Sequence, residues 1–315
     1  MRLRSRRGLV TIIAVVGLVL LALLAWAYRV NIVTQPGTHL SRAHIRSVIA
    51  QESPVLFSDG ETRIGVFFAR EHRTYVPFDE IPSAWVTAIV AAEDQRFWDH
   101  VGIDPFGIAR AMLANVRAGR MVAGGSTLTQ QTAKNLYYRP DRSIGSKWVE
   151  LLNAMRLESH FSKEEILEFY ANQFHVSSNG RGLGIAARYF FDKEVSALGT
   201  LECAFLAGLV KAPARYNPFI GRTAEARAEA RERARLRTRY VLDRMRDEGA
   251  LTAGVHAELV AAPLPFKKGR FQYESNVILD EVEARLSVQF VARRQRRAQP
   301  RDRLLAADDG KPARV

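Results

Sequence analysis

The chain has 315 residues, of which 47% are hydrophobic and 25% are charged. This composition excludes a wholly disordered chain, and the length allows one large or two small domains with a sizeable core. The single cysteine, Cys203, excludes an internal disulfide and a cysteine-cluster metal site.

The excess of basic residues lies mostly at the two ends of the chain. The formal net charge is +13; residues 1–8 contribute +4 from four arginines, and residues 291–315 contribute +5 from eight basic and three acidic residues. A nucleic-acid-binding domain would carry this charge on its body, so we expect no nucleic-acid partner.

Residues 8–28 form an uncharged, strongly apolar run of 21 residues. A helix of this length is about 30 Å long, which is enough to cross the hydrocarbon core of a bilayer. Four arginines precede the run, and Trp26 and Tyr28 stand at its far end, where aromatic rings favour the membrane interface. The sequence therefore predicts a cytoplasmic basic tail over 1–7, one transmembrane helix over 8–28, and the remainder outside the cytoplasm. A cleaved signal peptide is the alternative, but the run is long for one and no small-x-small site closes it neatly.

The rest of the chain divides into three parts. Residues 29–77 place turn formers around a strand-like stretch and are interpreted as a linker and lead-in. Residues 78–250 follow helical periodicity without a strand pattern strong enough for a sheet, so the predicted fold class is mainly α. Residues 251–315 are interpreted as a C-terminal extension, disordered from about residue 291. The strand-like stretch is Ile64–Phe68, and the predicted helices are Ser83–Glu93, Pro105–Ala118, Thr127–Leu136, Ser146–His160, Lys163–Gln173, Gly184–Phe191, Thr200–Val210 and Ala224–Glu248.

The first candidate for chemistry is Glu93, which follows the uncharged segment Ile81–Ala92. A carboxylate at the end of an apolar helix is partly desolvated, which raises its pKa and suits it to proton transfer. The alternative is a surface pair of Glu93 and Asp94 at a helix end. His100 follows at short spacing, but no second histidine stands at metal-ligand spacing, so no metal site is predicted.

The second candidate is the polar segment Gly124–Gln131, in which two glycines lead into a helix start rich in hydroxyl and amide groups. Exposed N–H groups at a helix N-terminus, with Lys134 nearby, suit an anionic phosphate. The order of residues is not that of a P-loop. The alternative is an ordinary N-cap by Ser126 or Thr127. Glu150, read alone, is one more helix glutamate.

Together these segments resemble family 51 of the glycosyltransferases, the peptidoglycan polymerases that extend glycan chains from lipid II. The resemblance covers about residues 78–220 and rests on five blocks in order. The blocks are Glu93-Asp94-Gln95-Arg96-Phe97 with His100 and Gly102; Gly124–Gln131 with Lys134 and Asn135; Lys147 with Glu150; Lys163–Glu168 with Tyr170, Asn172, Gly180 and Gly184; and Ala204–Leu209 with Pro213, Tyr216, Asn217 and Pro218.

The resemblance implies a lysozyme-like helical lobe with a smaller jaw near the membrane. It implies Glu93 as general base and Glu150 as a second carboxylate, with a divalent cation, magnesium or manganese, as a candidate at the pyrophosphate site and no organic cofactor. The helix over Phe106–Val116 would be the jaw helix near lipid, and ordinary core is the alternative for its apolar stripe. The implied substrate-binding residues are Asp94, Phe97, His100, Ser126, Thr127, Gln130, Gln131, Lys134, Asn135 and Lys147.

The resemblance also implies a place and partners: the bacterial inner membrane, with the catalytic domain on its outer side, lipid II and the growing glycan chain as substrates, and proteins of cell-wall synthesis or division as candidate partners. The chain departs from the family pattern at Ser146, where an arginine is usual, and in the loop 174–180. The signatures of a transpeptidase domain are absent from the sequence, which therefore reads as monofunctional. The alternatives are a lysozyme-like glycan-cleaving enzyme and a non-catalytic membrane scaffold for wall synthesis.

Overall fold

The computed structural model describes residues 2–34, 41–49, 52–56, 63–68, 72–121, 124–137, 143–177 and 180–269. The chain divides into two compact units, one formed by Met1–Glu52 with Phe68–Arg270 and the other by Ser53–Phe67 with Phe271–Val315. In the described part of the second unit, strand β1 (Glu52–Leu56) pairs with strand β2 (Arg63–Phe68), where the sequence predicts a strand. The disorder predicted from residue 291 lies outside the described residues.

The first unit is mostly helical, as predicted. Helix α1 (Arg2–Tyr28) continues into a π-helical turn, Arg29–Val33. The segment Ile13–Val33 has a mean hydropathy of 2.2 and is, within the described residues, the one helix whose length and composition suit a membrane span. The further helices are α2 (Arg42–Ile49), α3 (Ser83–Glu93), α4 (Pro105–Ala118), α5 (Leu128–Leu136), α6 (Ile144–His160), α7 (Lys163–Ala171), α8 (Leu183–Phe191), α9 (Thr200–Leu209), α10 (Ala224–Asp247) and α11 (Ala253–Ala261).

The core lies where α3, α9 and α10 meet. Helices α3 and α9 are apolar around most of their circumference, so both are buried, whereas α10 buries one stripe of small and aliphatic residues. Trp85 on α3 has no exposed surface and stacks on Phe174, whose ring centroid is 6.1 Å away. The C-terminal end of α3, which carries Glu93, is therefore fixed by packing.

The expectation of a linker over 29–77 differs from the structure at its start. The Arg156 guanidinium on α6 donates to the Asn31 carbonyl at 2.9 Å, and Ile32 is buried. On α2, Arg42 donates to both carboxylate oxygens of Glu165, at 2.9 and 3.2 Å. The chain that leaves α1 is therefore docked on the helical unit, because backbone carbonyls and one arginine find partners there.

A second difference is a small sheet that sequence periodicity missed. Strand β5 (Gly180–Arg181) pairs in parallel with β3 (His72–Arg73) and antiparallel with β4 (His175–Ser177). Strands of two or three residues are too short to show an alternating pattern, which explains why the stretch was expected to lack a sheet.

The third difference concerns the C-terminal extension predicted to begin at residue 251. Helix α11 lies within it, and the chain beyond α11 returns to α8, where the Lys267 amide donates to the Phe190 carbonyl at 2.9 Å. The Phe266 ring packs edge-on against Phe205 with centroids 4.9 Å apart. Residues up to 269 therefore belong to the folded unit.

We expect Phe266→Ala to lower the free energy of unfolding by about 2 kcal/mol, because it removes a half-buried ring from an aromatic cluster. Urea unfolding followed by tryptophan fluorescence measures the change. Val255→Ala on the exposed side of α11 is the control and should change the free energy by less than about 0.5 kcal/mol. Equal effects of the two variants would show that residues 262–269 do not stabilise the unit.

Candidate active site

The central feature of the site is Glu93, the last residue of α3. Its Oε1 atom accepts a hydrogen bond from Arg237 Nη2 at 2.8 Å, and its side chain is 17% exposed. Burial raises the pKa of Glu93, while the positive charges of Arg237 and Lys211 and a hydrogen bond from Gln131 lower it. The carboxylate therefore combines a strengthened basicity with contacts that favour its ionised form.

Gln131 is oriented toward Glu93 by a buried tyrosine. The Tyr170 hydroxyl donates to Gln131 Oε1 at 3.2 Å, which leaves the amide nitrogen of Gln131 to donate to Glu93. Burial raises the pKa of Tyr170 well above its ordinary value, so this hydroxyl stays protonated and remains a donor.

Arg237 was missed by the sequence analysis. It lies on α10, a helix rich in arginines and glutamates, and it is 144 residues from Glu93 in the chain. Its Nε atom also donates to the Gly208 carbonyl at 3.2 Å. A Cβ atom at Gly208 would lie 3.1 Å from Arg237 Cγ, so glycine at this position allows α9 and α10 to approach closely enough for the contact with Glu93.

Glu93 opens onto a cleft of about 460 Å³. The cleft is formed by the end of α3, one side of α4, the segment before α5, and α10. Glu93 is thus accessible to a molecule bound from outside, as a general base must be. The residues that line the cleft include Asp94, Asp104, Arg110, Ser126, Thr127, Gln131, Lys211, Tyr240 and Arg244.

The segment before α5 contains the predicted N-cap. Thr127 is the capping residue: its hydroxyl accepts from the Gln130 amide at 3.1 Å and donates to the Gly102 carbonyl at 2.7 Å. Beside it, Lys147 Nζ donates to Ser126 Oγ and to Gln130 Oε1, both at 3.3 Å, and contacts the buried Glu150. The structure thus brings Ser126, Gln130, Lys147 and Glu150 together, as the family resemblance implies.

Three of the predicted substrate contacts are buried, although one of them, Asp94, also lines the cleft. Asp94 Oδ2 accepts from the Leu128 amide at 2.8 Å and from His100 Nε2 at 2.9 Å. His100 Nδ1 accepts from the Gly102 amide at 3.1 Å, so the neutral ring carries its proton on Nε2. Phe97 has no exposed surface. These residues position the turn after Glu93; substrate contact by Asp94 and His100 stays a prediction, and the covered Phe97 ring does not offer one in this conformation.

Gly102 has a specific reason to be glycine. Its φ of +95° lies in the left-handed region, and a Cβ atom there would stand 2.8 Å from the Ala154 carbonyl oxygen of α6. Its carbonyl and amide both serve the network around Thr127 and His100. Close packing of this turn on α6 therefore depends on the missing side chain.

Lys134 and Asn135 are on α5 but outside the cleft that contains Glu93. Lys134 is exposed and Asn135 is partly exposed. Neither is brought to the group around Lys147 by a contact among the described residues, so their assignment to phosphate or sugar stays a prediction.

Among the described residues the donor set does not form a site that would hold a divalent cation by protein ligands alone, and a cation bound with the diphosphate stays a prediction. Within the described ranges, no three His, Cys, Asp or Glu side chains are grouped as ligands for a metal ion. The carboxylate of Glu150 already faces the ammonium of Lys147, and a divalent cation would have to displace that contact. No step is therefore derived through a metal ion.

A helical unit with one N-terminal helix of suitable length and composition for a membrane span, and with a buried carboxylate in an open polar cleft, defines a candidate acid–base site. Residues 60–246 match the family model described as Transglycosylase, and the chain therefore belongs to this family, as its motifs indicated. Penicillin-binding protein 1A from Aquifex aeolicus is 42% identical over 226 residues, which are 72% of this chain and 30% of that protein. The protein of the same name from Neisseria flavescens is 43% identical over 62% of this chain and 23% of its own length.

The chain thus spans less than a third of the length of the curated relatives it matches. A crystal structure of penicillin-binding protein 1A from Haemophilus influenzae covers 76% of this chain and 24% of that chain, with 19% identity and a TM-score of 0.40. This likeness is too weak to carry a structural argument, so the mainly helical class is confirmed by the structure itself and the lysozyme-like lobe stays a prediction.

We expect Arg237→Met to raise the pKa of Glu93. The change removes the nearest positive charge, which favours the ionised carboxylate, while burial of Glu93 remains. The titration of Glu93 can be followed by carbon-13 NMR of selectively labelled glutamate carboxyls, assigned with Glu93→Gln. Arg239→Met, on the more exposed side of the same helix, is the matched control and should leave the titration unchanged. A Glu93 titration that stays in place or moves to lower pH in Arg237→Met would contradict the assignment.

Proposed function

We propose that this chain is a peptidoglycan glycosyltransferase that polymerises lipid II into glycan strands and releases undecaprenyl diphosphate. The observation that carries the proposal is the buried carboxylate of Glu93 opening onto the cleft, in a chain of the transglycosylase family. The lipid II substrate belongs to this proposal.

Glu93 acts as the general base. It takes the proton from the 4-hydroxyl of the N-acetylglucosamine of an acceptor lipid II, and that oxygen attacks C1 of the growing chain. The glycosidic C–O bond forms as the bond to the diphosphate breaks, and the configuration at C1 inverts. Burial strengthens the base, while Arg237, Lys211 and Gln131 favour its ionised form, and general base catalysis requires both.

Lys147 receives the charge that develops on the leaving diphosphate. The ammonium group lies among Ser126, Gln130 and Glu150, so its position is set by three side chains before the substrate arrives. A fixed positive group at this place stabilises the transition state without reorganisation. Glu150 acts by holding Lys147; a divalent cation, Lys134 and Asn135 are further candidates for the same diphosphate.

The membrane contact is formed by α1 and the outer face of α4. On α4, Phe106, Met112 and Val116 are 70%, 68% and 70% exposed, so the alternative of an ordinary core stripe is wrong. Contiguous exposed apolar groups of this size mark a surface for lipid or protein. With α1 as anchor, we assign this face to the outer leaflet of the bacterial inner membrane, where a polyprenyl substrate resides, and keep wall-synthesis and division proteins as candidate partners.

Glu93→Gln should reduce polymerisation of labelled lipid II by at least about 100-fold, because it removes the base and keeps the side-chain volume. Product is measured by gel separation of glycan strands made by the purified full chain in detergent. Glu258→Gln on the exposed side of α11 is the matched control and should retain wild-type activity.

Three outcomes would contradict the proposal. Undiminished polymer from Glu93→Gln would remove Glu93 from catalysis. Release of muropeptides from purified cell wall would indicate the glycan-cleaving enzyme. Absence of polymer from a folded wild-type chain that binds lipid II would favour the non-catalytic scaffold.

A nitroxide attached at Met112→Cys should lie in lipid when the full chain is reconstituted into vesicles. The native Cys203 is buried, and burial raises its pKa to about 12, so the label selects the introduced thiol. Electron paramagnetic resonance should show stronger relaxation by oxygen, which partitions into lipid, than by a water-soluble nickel complex. A label at Leu236→Cys on α10, a residue that is 51% exposed, is the control and should show the opposite order. Equal behaviour at the two sites would exclude α4 from the membrane.

A further inference from the structure

Three basic side chains line the cleft from three different segments, and none of them was singled out from the sequence. Arg110 lies on α4, Lys211 follows α9, and Arg244 lies on α10. Arg110 and Lys211 are exposed and have no hydrogen bond or ion pair to other residues in the part of the chain that the structure describes. Arg244 makes only long contacts, to Asp247 at 3.5 Å and Glu248 at 3.8 Å.

The acidic residues that line the same cleft are already engaged within the protein. Asp94 accepts from the Leu128 amide and from His100. Asp104 caps α4 by accepting from the Phe106 amide at 3.1 Å and pairs with Arg96 at 3.2 Å. With Glu93 paired to Arg237, the three basic groups are left to face the open space of the cleft. The cleft therefore presents three basic groups with few contacts inside the protein to any molecule bound in it.

The position of Arg244 follows from helix geometry. Arg237, Tyr240 and Arg244 are spaced i, i+3 and i+7, so they lie on one face of α10, and that face is directed at Glu93. The Arg237 guanidinium lies over the Tyr240 ring at 4.7 Å, which fixes the wall of the cleft between Arg237 and Arg244. Arg231 projects about 150° away from these residues around the helix axis, so it is on the opposite face.

These groups are separate from the cations that the motifs indicated. Lys147 lies beside Ser126 and Gln130 and faces Glu150, and it is outside the residues that line the cleft around Glu93. Lys134 is outside that lining as well. The protein thus carries cations in two places: Lys147, matched by its own carboxylate, and the three in the cleft beside the base.

We propose that Arg110, Lys211 and Arg244 form an anion-binding subsite that holds the acceptor lipid II while Glu93 takes its proton. The inference rests on the proposed function and names the part of the site that recognises the acceptor. The acceptor has anions from two sources, the diphosphate and the carboxylates of the stem peptide, and both are chemistries that exposed guanidinium and ammonium groups bind. Because Lys147 is assigned to the leaving diphosphate of the growing chain, we assign the separate cations beside Glu93 to the acceptor, whose hydroxyl the base must meet.

The subsite is tested by the affinity of the full chain for fluorescent lipid II, measured in a Glu93→Gln background so that no substrate is consumed. The triple variant Arg110→Ala, Lys211→Ala, Arg244→Ala should raise Kd by about tenfold or more, since each lost charge-assisted contact weakens binding. Arg231→Ala, which removes an exposed charge from the opposite face of α10, should leave Kd unchanged. The charge-keeping variant Arg110→Lys, Lys211→Arg, Arg244→Lys should restore most of the affinity and shows that a loss is not due to misfolding.

Two further arms identify the anion. If the diphosphate is bound, inorganic pyrophosphate should displace lipid II from the parent protein more effectively than from the triple variant. If the stem carboxylates are bound, lipid II with amidated carboxylates should bind the parent as weakly as ordinary lipid II binds the triple variant. In an active Glu93 background, the triple variant should raise KM by a similar factor and change kcat less.

An unchanged Kd in the triple variant would overturn the subsite, and so would an equal loss in Arg231→Ala, because the effect would then be one of total charge. Binding does not depend on turnover. A wild-type chain that makes no polymer while the triple variant still weakens binding would therefore refute the glycosyltransferase and leave the subsite in place.

Discussion

The site depends on one buried ion pair, between Glu93 at the end of α3 and Arg237 on α10. Buried pairs contribute little net stability, because the cost of removing two charges from water offsets most of their attraction. Removing one residue of such a pair is costly, because the buried charge that remains has no partner. Here burial makes the Glu93 carboxylate more basic, and Arg237 provides a counter-charge that favours its ionised form. The pair also connects the end of α3 to the wall of the cleft.

The neighbouring carboxylate, Asp94, has a structural role instead. Asp94 leaves the helix with φ −156° and ψ 73°, and this break turns its side chain away from the direction of Glu93 and toward the N-terminus of α5. There it accepts hydrogen bonds from an amide of the first turn and from His100 Nε2. The end of one helix thus separates two adjacent acids: Glu93 is the proposed base, and Asp94 holds the polar segment before α5 beside it.

The chain that leaves the apolar helix α1 is attached to α6. Arg156 and Ser159 on α6 hold the carbonyls of Asn31 and Ile32, at 2.9 and 3.3 Å, where the chain leaves α1. The same helix carries Lys147 and Glu150 about two to three turns earlier. Helix α1 is therefore connected through α6 to the group that we assign to the diphosphate, so the position of that group relative to α1 does not depend on a flexible linker.

The sequence by itself determined the apolar span, the eight main helices and the family, and it singled out Glu93 as a candidate, because each depends on local patterns: hydropathy, helical period, or a motif of near neighbours. It did not reveal Arg237, since 144 residues separate it from Glu93 and its helix is rich in arginines that look alike in sequence. Nor did it show that Phe97 is covered while the stripe on α4 is exposed, because periodicity identifies an apolar face without identifying what covers it. Only the packing of α3, α9 and α10 decided which charges meet, since burial and pairing are properties of distance in space.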